Sequence, residues 1–386
     1  MLHTLAVSGY RSLRDLILPL RKLNLIVGAN GSGKSSVYRA LRLLADAGQG
    51  GLIASLAREG GLPSVLWAGP ESPRRDALSG EHEMEGGSRN RPVALKLGFA
   101  GEDFGYAIEL GLPLVDRSAF ALDPDIKREA IWNGPRYRAA SALFERRGAI
   151  ASARTESGWR VVSKTVPTFE SMLARCADPQ AAPEVLTLRD RVRSWRFYDH
   201  LRTDREAPAR LPQIGTHTPV LGHDGADLAA ALQTILEIGD PQALHQAIED
   251  AFPGAEVEVL FGEGLFEVAM HQTGLLRPLR AAELSDGTLR YLLLAAALLS
   301  PRPPELLVLN EPETSLHPDL LPALGRLILQ AAKRSQVVVV SHSVRLMEAL
   351  EHEGEVNLLQ LEKISGATAL AGQGLLDQPV WHWPAR

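Results

Sequence analysis

Residues 28–35 read Gly28-Ala29-Asn30-Gly31-Ser32-Gly33-Lys34-Ser35, and what flanks them restricts the fold more than any other feature of the chain. Upstream, Leu23-Asn24-Leu25-Ile26-Val27 is a short apolar run suited to a buried strand. Downstream, Val37, Ala40, Leu41 and Leu44 recur at helical spacing. A strand, a turn of pattern G-x-x-x-x-G-K-S and a helix together make a phosphate-binding loop. Glycines at 28, 31 and 33 let backbone N–H groups turn inward around phosphate oxygens, and the helix N-terminus points at the same oxygens. Gly28, Asn30, Gly31, Ser32, Gly33, Lys34, Ser35 and Ser36 are thereby expected to bind a nucleotide. Lys34 would reach the β/γ-phosphates, and the Ser35 hydroxyl would ligate Mg²⁺.

Composition bounds the rest. The chain has 386 residues, 45% hydrophobic and 23% charged, enough for two or three lobes and a substantial core. Its one cysteine, Cys176, excludes an intrachain disulfide framework and a cysteine-based zinc site; it reads as a small buried residue in a reducing compartment. Arg11, Arg14 and Asp15 interrupt the N-terminal apolar runs, so no secretory leader is expected. The longest apolar stretch, residues 291–299, is too short to cross a bilayer. A cytoplasmic protein without a membrane partner is the expectation. Net charge is −5, yet residues 127–210 carry 17 basic and 10 acidic residues, a local +7 that leaves −12 for the remainder. Such asymmetry fits a nucleic-acid face, a dock for an acidic partner, or a solvated surface whose arginines pair with nearby carboxylates. No clear aromatic–basic alternation of the single-strand-binding kind runs through this stretch, and Trp195-Arg196-Phe197-Tyr198 is only suggestive of one.

Along the chain, strands are expected at 2–7 and 16–18, flanking a turn at Gly9. Residues 48–87 are rich in Gly, Ser and charge, with one helix near 52–58. A hairpin is expected over 93–99 and 104–110, then strands near Ile131 and 160–162. Helices follow at 168–176 and 184–195, a connector at 208–219, helices at 226–238 and 241–251, and a second hairpin over 256–261 and 265–271.

A second cluster opens 250 residues after Lys34. Leu284-Ser285-Asp286-Gly287-Thr288 leads a long apolar helix to Leu299, stopped by Ser300-Pro301. Residues 306–309 form an apolar strand running into Asn310-Glu311-Pro312-Glu313 and Thr314-Ser315-Leu316-His317-Pro318; a helix follows, with Leu320, Leu324, Leu327 and Ile328 on one side. Val337 to Val340 make a four-valine strand that ends in Ser341-His342-Ser343. Strand–carboxylate, helix, strand–histidine is the alternation of a parallel sheet whose ligand sits at the strand carboxyl ends.

This order of motifs resembles the ABC-type ATPase heads of the RecF, SMC, Rad50 and OLD group, most closely the predicted RecF-like ATPases of bacteria. The resemblance covers residues 1–45 and 280–365 well and the middle loosely. It implies an α/β P-loop NTPase of ABC-ATPase type, with a mixed central sheet, an antiparallel β subdomain and a helical signature lobe. The whole of 1–386 would be one discontinuous head. Its nucleotide-binding core would be 1–45 and 301–386, its insertion and antiparallel subdomain 46–165, and its helical signature lobe 166–300. Leu284 to Thr288 resembles the ABC signature, so Ser285 and Gly287 would contact the γ-phosphate held by a second copy. Residues 309–318 resemble Walker B and the D-loop, His342 falls on the switch histidine, and Arg11-Ser12 resembles an N-terminal element near the nucleotide. In these roles Glu311 orients or deprotonates the attacking water, and Lys34, Ser285 and Mg²⁺ offset phosphoryl charge.

Two positions depart from the pattern. Asn310 stands where Walker B normally has Asp; it keeps a carbonyl acceptor for the Mg²⁺ shell and loses the charge, so slow hydrolysis is expected. His317 stands where transporter-type D-loops carry Asp, which argues against a transporter ATPase. An AAA+ unfoldase would have no use for the signature. Gln49 and Gln213 are both open to the Q-loop role, with no motif around either. The span between Lys34 and Leu284 shows no sustained heptads and is too short for a long coiled-coil arm; the 44 residues after His342 are too few for a Toprim nuclease. The resemblance thus implies a bare head that forms a head-to-tail homodimer around two ATP molecules. Such a head would act on DNA in repair or in defence against phage and plasmids. The alternative is an ATP-gated scaffold controlling a partner nuclease or toxin, without binding DNA itself.

Overall fold

The computed structural model describes residues 1–69, 94–113, 118–374 and 378–384. Residues 70–87 of the expected glycine-rich stretch, and residue 93 of the first hairpin, lie outside the described residues. Strands β1 (Leu2–Tyr10), β2 (Leu13–Pro19) and β3 (Leu23–Gly28) precede helix α1 (Lys34–Gln49), which α2 (Leu52–Arg58) and α3 (Leu62–Val65) follow. Six strands come next: β4 (Leu95–Gly101), β5 (Phe104–Gly111), β6 (Asp125–Asn133), β7 (Ala142–Arg147), β8 (Ile150–Thr155) and β9 (Gly158–Ser163). Helices α4 (Met172–Arg175) and α5 (Pro183–Ser194) lead to β10 (Arg196–Tyr198), β11 (Gln213–Ile214), α6 (Leu228–Ile238) and α7 (Pro241–Ala251). Strands β12 (Glu256–Gly262), β13 (Leu265–His271) and β14 (Leu279–Arg280) stand before α8 (Asp286–Leu298). The remainder runs β15 (Leu306–Asn310), α9 (Leu321–Ala332), β16 (Gln336–Val340), α10 (Val344–Glu353), β17 (Asn357–Ile364) and β18 (Ala367–Leu370). The elements gather into two units, one of Met1–Arg21, Val27–Ser194 and Leu359–Arg386, the other of Lys22–Ile26 and Trp195–Leu358.

The first unit is built on an eight-stranded antiparallel sheet in the order β2-β1-β4-β5-β6-β7-β8-β9. The β1–β2 turn falls at Arg11-Ser12 and not at Gly9: Tyr10 and Leu13, both fully buried, pair across the strands and close it. Helix α1 buries Val37, Ala40, Leu41 and Leu44, as its periodicity requires. Strand β7 carries Arg146 inward, which breaks the apolar alternation by which a strand is recognised. Arg146 pairs across the ladder with Glu129, both fully buried, with Nη1 2.8 Å from Oε2. Glu129 also accepts from the Tyr106 hydroxyl (2.6 Å), Ser171 Oγ (2.6 Å) and the Met172 N–H (2.8 Å). Arg146 further donates to the carbonyls of Gly148, Pro167 and Glu170. This network explains why the helix expected over 168–176 shrinks to Met172–Arg175. The Glu170 carbonyl faces Arg146, the Thr168 carbonyl accepts from the Ile126 N–H, and the Pro167 carbonyl divides between Arg146 and the Glu170 N–H of a single turn, so no helical ladder starts before Met172. Burial pushes the Cys176 thiol up to about 11, which makes it inert.

At the far end of the chain, Trp381 and Trp383 pack against a cluster of Ala100, Ala107, Ala130 and Trp132. Gly98 makes the room, since a Cβ there would lie 2.7 Å from the Trp381 ring.

In the second unit, β10, β15, β16 and β3 run parallel, with Val308 opposite Val338 and Val340 opposite Ile26. Every residue of β16 is buried, as in a sheet covered on both faces. Helix α8 is buried without interruption from Leu289 to Leu298, the signature of a central helix and not of a surface one. Strands β11, β13 and β12 form a small antiparallel sheet, with β14 on β13. Trp195, Phe197 and Tyr198 are each 2% exposed, so these rings belong to the core, and the segment offers no surface on which bases could stack. Several arginines of the basic middle are also paired: Arg189 with Asp190, Arg191 with Asp103 and Arg202 with Asp204. Among the described residues, no helix is long and apolar enough to cross a membrane.

Removing one member of a buried pair strands the other. Arg146→Met should therefore lower stability by about 3–5 kcal/mol in urea unfolding followed by circular dichroism. A loss under about 1 kcal/mol would mean that the pair is no stronger than a surface one.

Candidate functional site

The phosphate loop hangs between β3 and α1. Gly28 (φ 149°) and Gly33 (φ 109°) take conformations that side chains resist, and both are also pressed from behind. A Cβ on Gly28 would lie 2.3 Å from the Leu361 carbonyl, and one on Gly33 would lie 2.2 Å from Thr368 Oγ1. Thr368 donates that hydroxyl to the Ser32 carbonyl at 2.7 Å, sits 2.8 Å from Ser12 Oγ, and donates its N–H to the Ser12 carbonyl at 2.8 Å. The β17–β18 hairpin thus forms the rear wall of the loop. Asn30, Gly31 and Ser35 are exposed and Ser36 is half-buried, while Lys34 is 7% exposed and folds back, donating to the Gly28 (2.6 Å) and Ala29 (3.2 Å) carbonyls. No side chain caps α1 and its first turn has no acidic residue, so the positive end of this 16-residue helix is open to an anion. Ser32 Oγ is buried without a partner.

Arg11 lies on the β1–β2 turn at φ 48°. Its Nη2 is 2.7 Å from Glu59 Oε2, which also accepts from the Tyr10 hydroxyl at 2.6 Å. Burial, with Glu59 beside it, pushes the Tyr10 hydroxyl well above its usual range. The structure therefore ties Arg11 to Glu59, and it is the neighbouring Ser12 that reaches the loop through Thr368.

In the second unit, Asn310 ends β15 and Val340 ends β16, opposite each other and one strand from Ile26, two residues before Gly28. Glu311 follows in a left-handed conformation (φ 48°), its N–H bound to the Val340 carbonyl at 2.8 Å. His342 Nδ1 lies 3.8 Å from Glu311 Oε1 and 3.5 Å from Glu313 Oε1, so the imidazole faces two carboxylates. Glu313 fixes the histidine from below, accepting from Ser341 Oγ (2.6 Å) and from the His342 N–H (3.0 Å). Asn310 Oδ1 and Glu313 Oε2 are both buried and without a partner. Oxygens left in that state are acceptors prepared for something the chain does not itself provide. They suit a hard cation or its water shell, so the donor set fits Mg²⁺. Among the described residues there is no group of three or more His, Cys, Asp or Glu that could hold a metal unaided, which leaves phosphate oxygens and water to complete such a site.

Ser285 caps α8, accepting from the Thr288 N–H at 3.1 Å, and stays exposed. Gly287 passes close to the turn at Ser315, where a Cβ would lie 3.0 Å from the Ser315 carbonyl. His317 is an exposed cap that accepts from the Asp319 N–H. Gln213 donates to the Pro208 carbonyl, and Gln49 closes α1 in an exposed position.

The structure thus groups Asn310, Glu311 and His342 at one sheet edge and sets Ser285 and Gly287 beside the Ser315 turn. Gly28 to Ser36 stay with the Thr368 wall. Sequence reasoning missed Glu313, although the Glu-Pro-Glu repeat was a visible signal. It missed Thr368 and Glu59 as well, and no local pattern announces either.

The family described as "AAA domain, putative AbiEii toxin, Type IV TA system" matches residues 23–348. The DNA replication and repair protein RecF of Pseudomonas savastanoi pv. phaseolicola is 30% identical over 139 residues, which are 33% of this chain and 36% of that protein. RecF of Pseudomonas syringae pv. syringae matches to the same extent, so the similarity spans about a third of the curated relatives. Among solved structures, an SMC head crystallised with the C-terminal winged-helix domain of ScpA superposes with a TM-score of 0.52. It covers 97% of this chain and 98% of that one at 15% identity, a likeness of fold. The chain belongs to this AAA-domain family, is similar to RecF over about a third of its length and has the fold of an SMC head.

Proposed function

We propose that the chain binds and slowly hydrolyses ATP, dimerises head to tail around it, and acts on DNA in repair or in defence against phage and plasmids. The proposal rests on the end of the parallel sheet, where Glu311 and His342 stand 3.8 Å apart beside the unpartnered oxygens of Asn310 and Glu313. In this reading the backbone of residues 28–36 and Lys34 hold the triphosphate, with Arg11 near it. Ser35 and Asn310 would hold Mg²⁺, which would offset charge on the phosphoryl group. Glu311 takes a proton from the attacking water. The water oxygen bonds to the γ-phosphorus as the bond to the β–γ bridging oxygen breaks, giving ADP and phosphate. His342, with Nδ1 turned to the carboxylates, has its other ring nitrogen left for the γ-phosphate. Ser285 and Gly287 serve the nucleotide of the other copy. Asn310 brings no charge to the cation, so turnover is slow.

Action on DNA is supported by the RecF relatives, which are DNA replication and repair proteins by name. A second reading, an ATP-gated scaffold for a partner nuclease or toxin, is favoured by two observations. The arginines of the basic middle are extensively paired, and its aromatic run is buried. The family description, with its toxin and Type IV system, points the same way.

Glu311→Gln should slow hydrolysis by about a hundredfold and hold an ATP-dependent dimer that light scattering detects; an unchanged rate would remove Glu311 as the base. That trapped dimer also separates the two readings. DNA affinity that falls steeply with salt supports the first, and capture of an effector protein with no DNA binding supports the second. Lys34→Ala should weaken ATP binding by about 10–100-fold in calorimetry, and normal affinity would sink the phosphate-loop assignment. Asn310→Asp should reduce the Mg²⁺ concentration needed for half-maximal turnover by roughly tenfold, the effect of one added charge near the cation. No change would make the asparagine innocuous.

A further inference from the structure

Ser285 and Gly287 can serve a nucleotide on another copy only if the turn that carries them keeps its shape alone. Ser285 and Asp286 are exposed, so packing does little to hold them. One buried side chain does reach them. Arg210, 6% exposed, ends the 3₁₀ turn Pro208–Arg210, and its guanidinium is used on all three nitrogens. Nη1 donates to the Leu284 carbonyl at 2.7 Å and the Ala281 carbonyl at 3.0 Å. Nη2 donates to Asp286 Oδ1 at 2.6 Å and the Thr203 carbonyl at 2.8 Å, and Nε to the Thr203 carbonyl at 2.9 Å. The fork therefore grips the residue before Ser285 and the residue after it. On the opposite side Gly287 is pressed against the Ser315 carbonyl, so the turn is held from two directions.

We infer that Arg210 is the positioning residue of the signature turn and that Asp286 is its counterpart within that turn. This rests on the reading that Ser285 and Gly287 act on a nucleotide held by a second copy. A planar guanidinium is needed, because a single ammonium cannot meet a carbonyl and a carboxylate on either side of one residue at fixed angles. Asp286 also sits in the first turn of α8, where a negative charge is favoured by the helix dipole. The pair thus couples helix entry to the aim of Ser285. It acts on the partner's nucleotide and not on the chain's own, so its loss should separate binding from turnover.

The test uses the full chain with Arg210→Lys and Asp286→Ala, the second at an exposed position where refolding is not at issue. Both variants should bind ATP within about twofold of the parent while kcat falls about tenfold or more, the scale of a misplaced reacting group. The melting temperature of Asp286→Ala should stay within about 2 °C. Mixed with Lys34→Ala, which has an intact signature turn but a broken phosphate loop, each should give more activity than the two proteins separately, because one composite site is whole. Ser285→Arg mixed with Lys34→Ala is the control for the shared site. If the control pair complements and the Arg210 and Asp286 variants keep parental kcat, Arg210 does not position the turn. If those variants lose ATP binding in step with turnover, their role is only structural and the inference falls. If the control pair fails to complement, the two-copy site itself is wrong and the inference falls with it.

Discussion

Val337 to Val340 are each 1% exposed or less, and β15 beside them is as dry from Leu306 to Leu309. Strands sealed on both faces cannot carry polar side chains along their length without leaving them unsolvated. Polar groups therefore gather at the strand ends, as Asn24 and Gln336 do at one end and Asn310 at the other, and parallel strands in register stop together. Asn310, Ser341 and Ile26 reach the same edge for that reason. The polar residues just past the valines are a consequence of how the sheet is buried.

At that edge, satisfaction is deliberately incomplete. Glu313 uses one oxygen to hold Ser341 and His342 and keeps the other buried and unmatched; Asn310 does the same with its only acceptor. Glu311 is held in a left-handed conformation that costs about 1–3 kcal/mol and is retained because its N–H closes onto the Val340 carbonyl. Arg290 lies behind this turn, donating to the Leu201 carbonyl, and its Nε is likewise unmatched. Burial pulls its guanidinium below the ordinary value, with Glu313 and Asp199 opposing. An unmatched amide oxygen, an unmatched carboxylate oxygen and a left-handed glutamate stand together at this edge, as expected of a site kept ready for a ligand.

Much of this was legible in order along the chain. The loop from Gly28, the valine strand and the helices Leu228–Ile238 and Pro241–Ala251 are local patterns, and local patterns survive without knowledge of partners. What was not legible depended on a partner far away. Arg146 looks like a surface charge until Glu129 is set opposite it; with that pair in place, β7 and the short helix at Met172–Arg175 both follow. Trp195, Phe197 and Tyr198 are buried, which no local rule announces, because residues 196–198 join the sheet beside β15. At the site, Glu311 and His342 were readable from order and spacing, whereas Thr368 became visible only when the last hairpin was folded onto the loop.

That hairpin sets an order of events during synthesis. Gly33 leaves a gap that the Thr368 hydroxyl fills, and Gly28 leaves one that the Leu361 carbonyl fills, so the loop is finished by strands far along the chain from it. For more than three hundred residues of elongation the loop waits without its rear wall. Closing a contact over so long a separation is slow, and a chain without residues 359–370 would carry the residues of the loop without its shape.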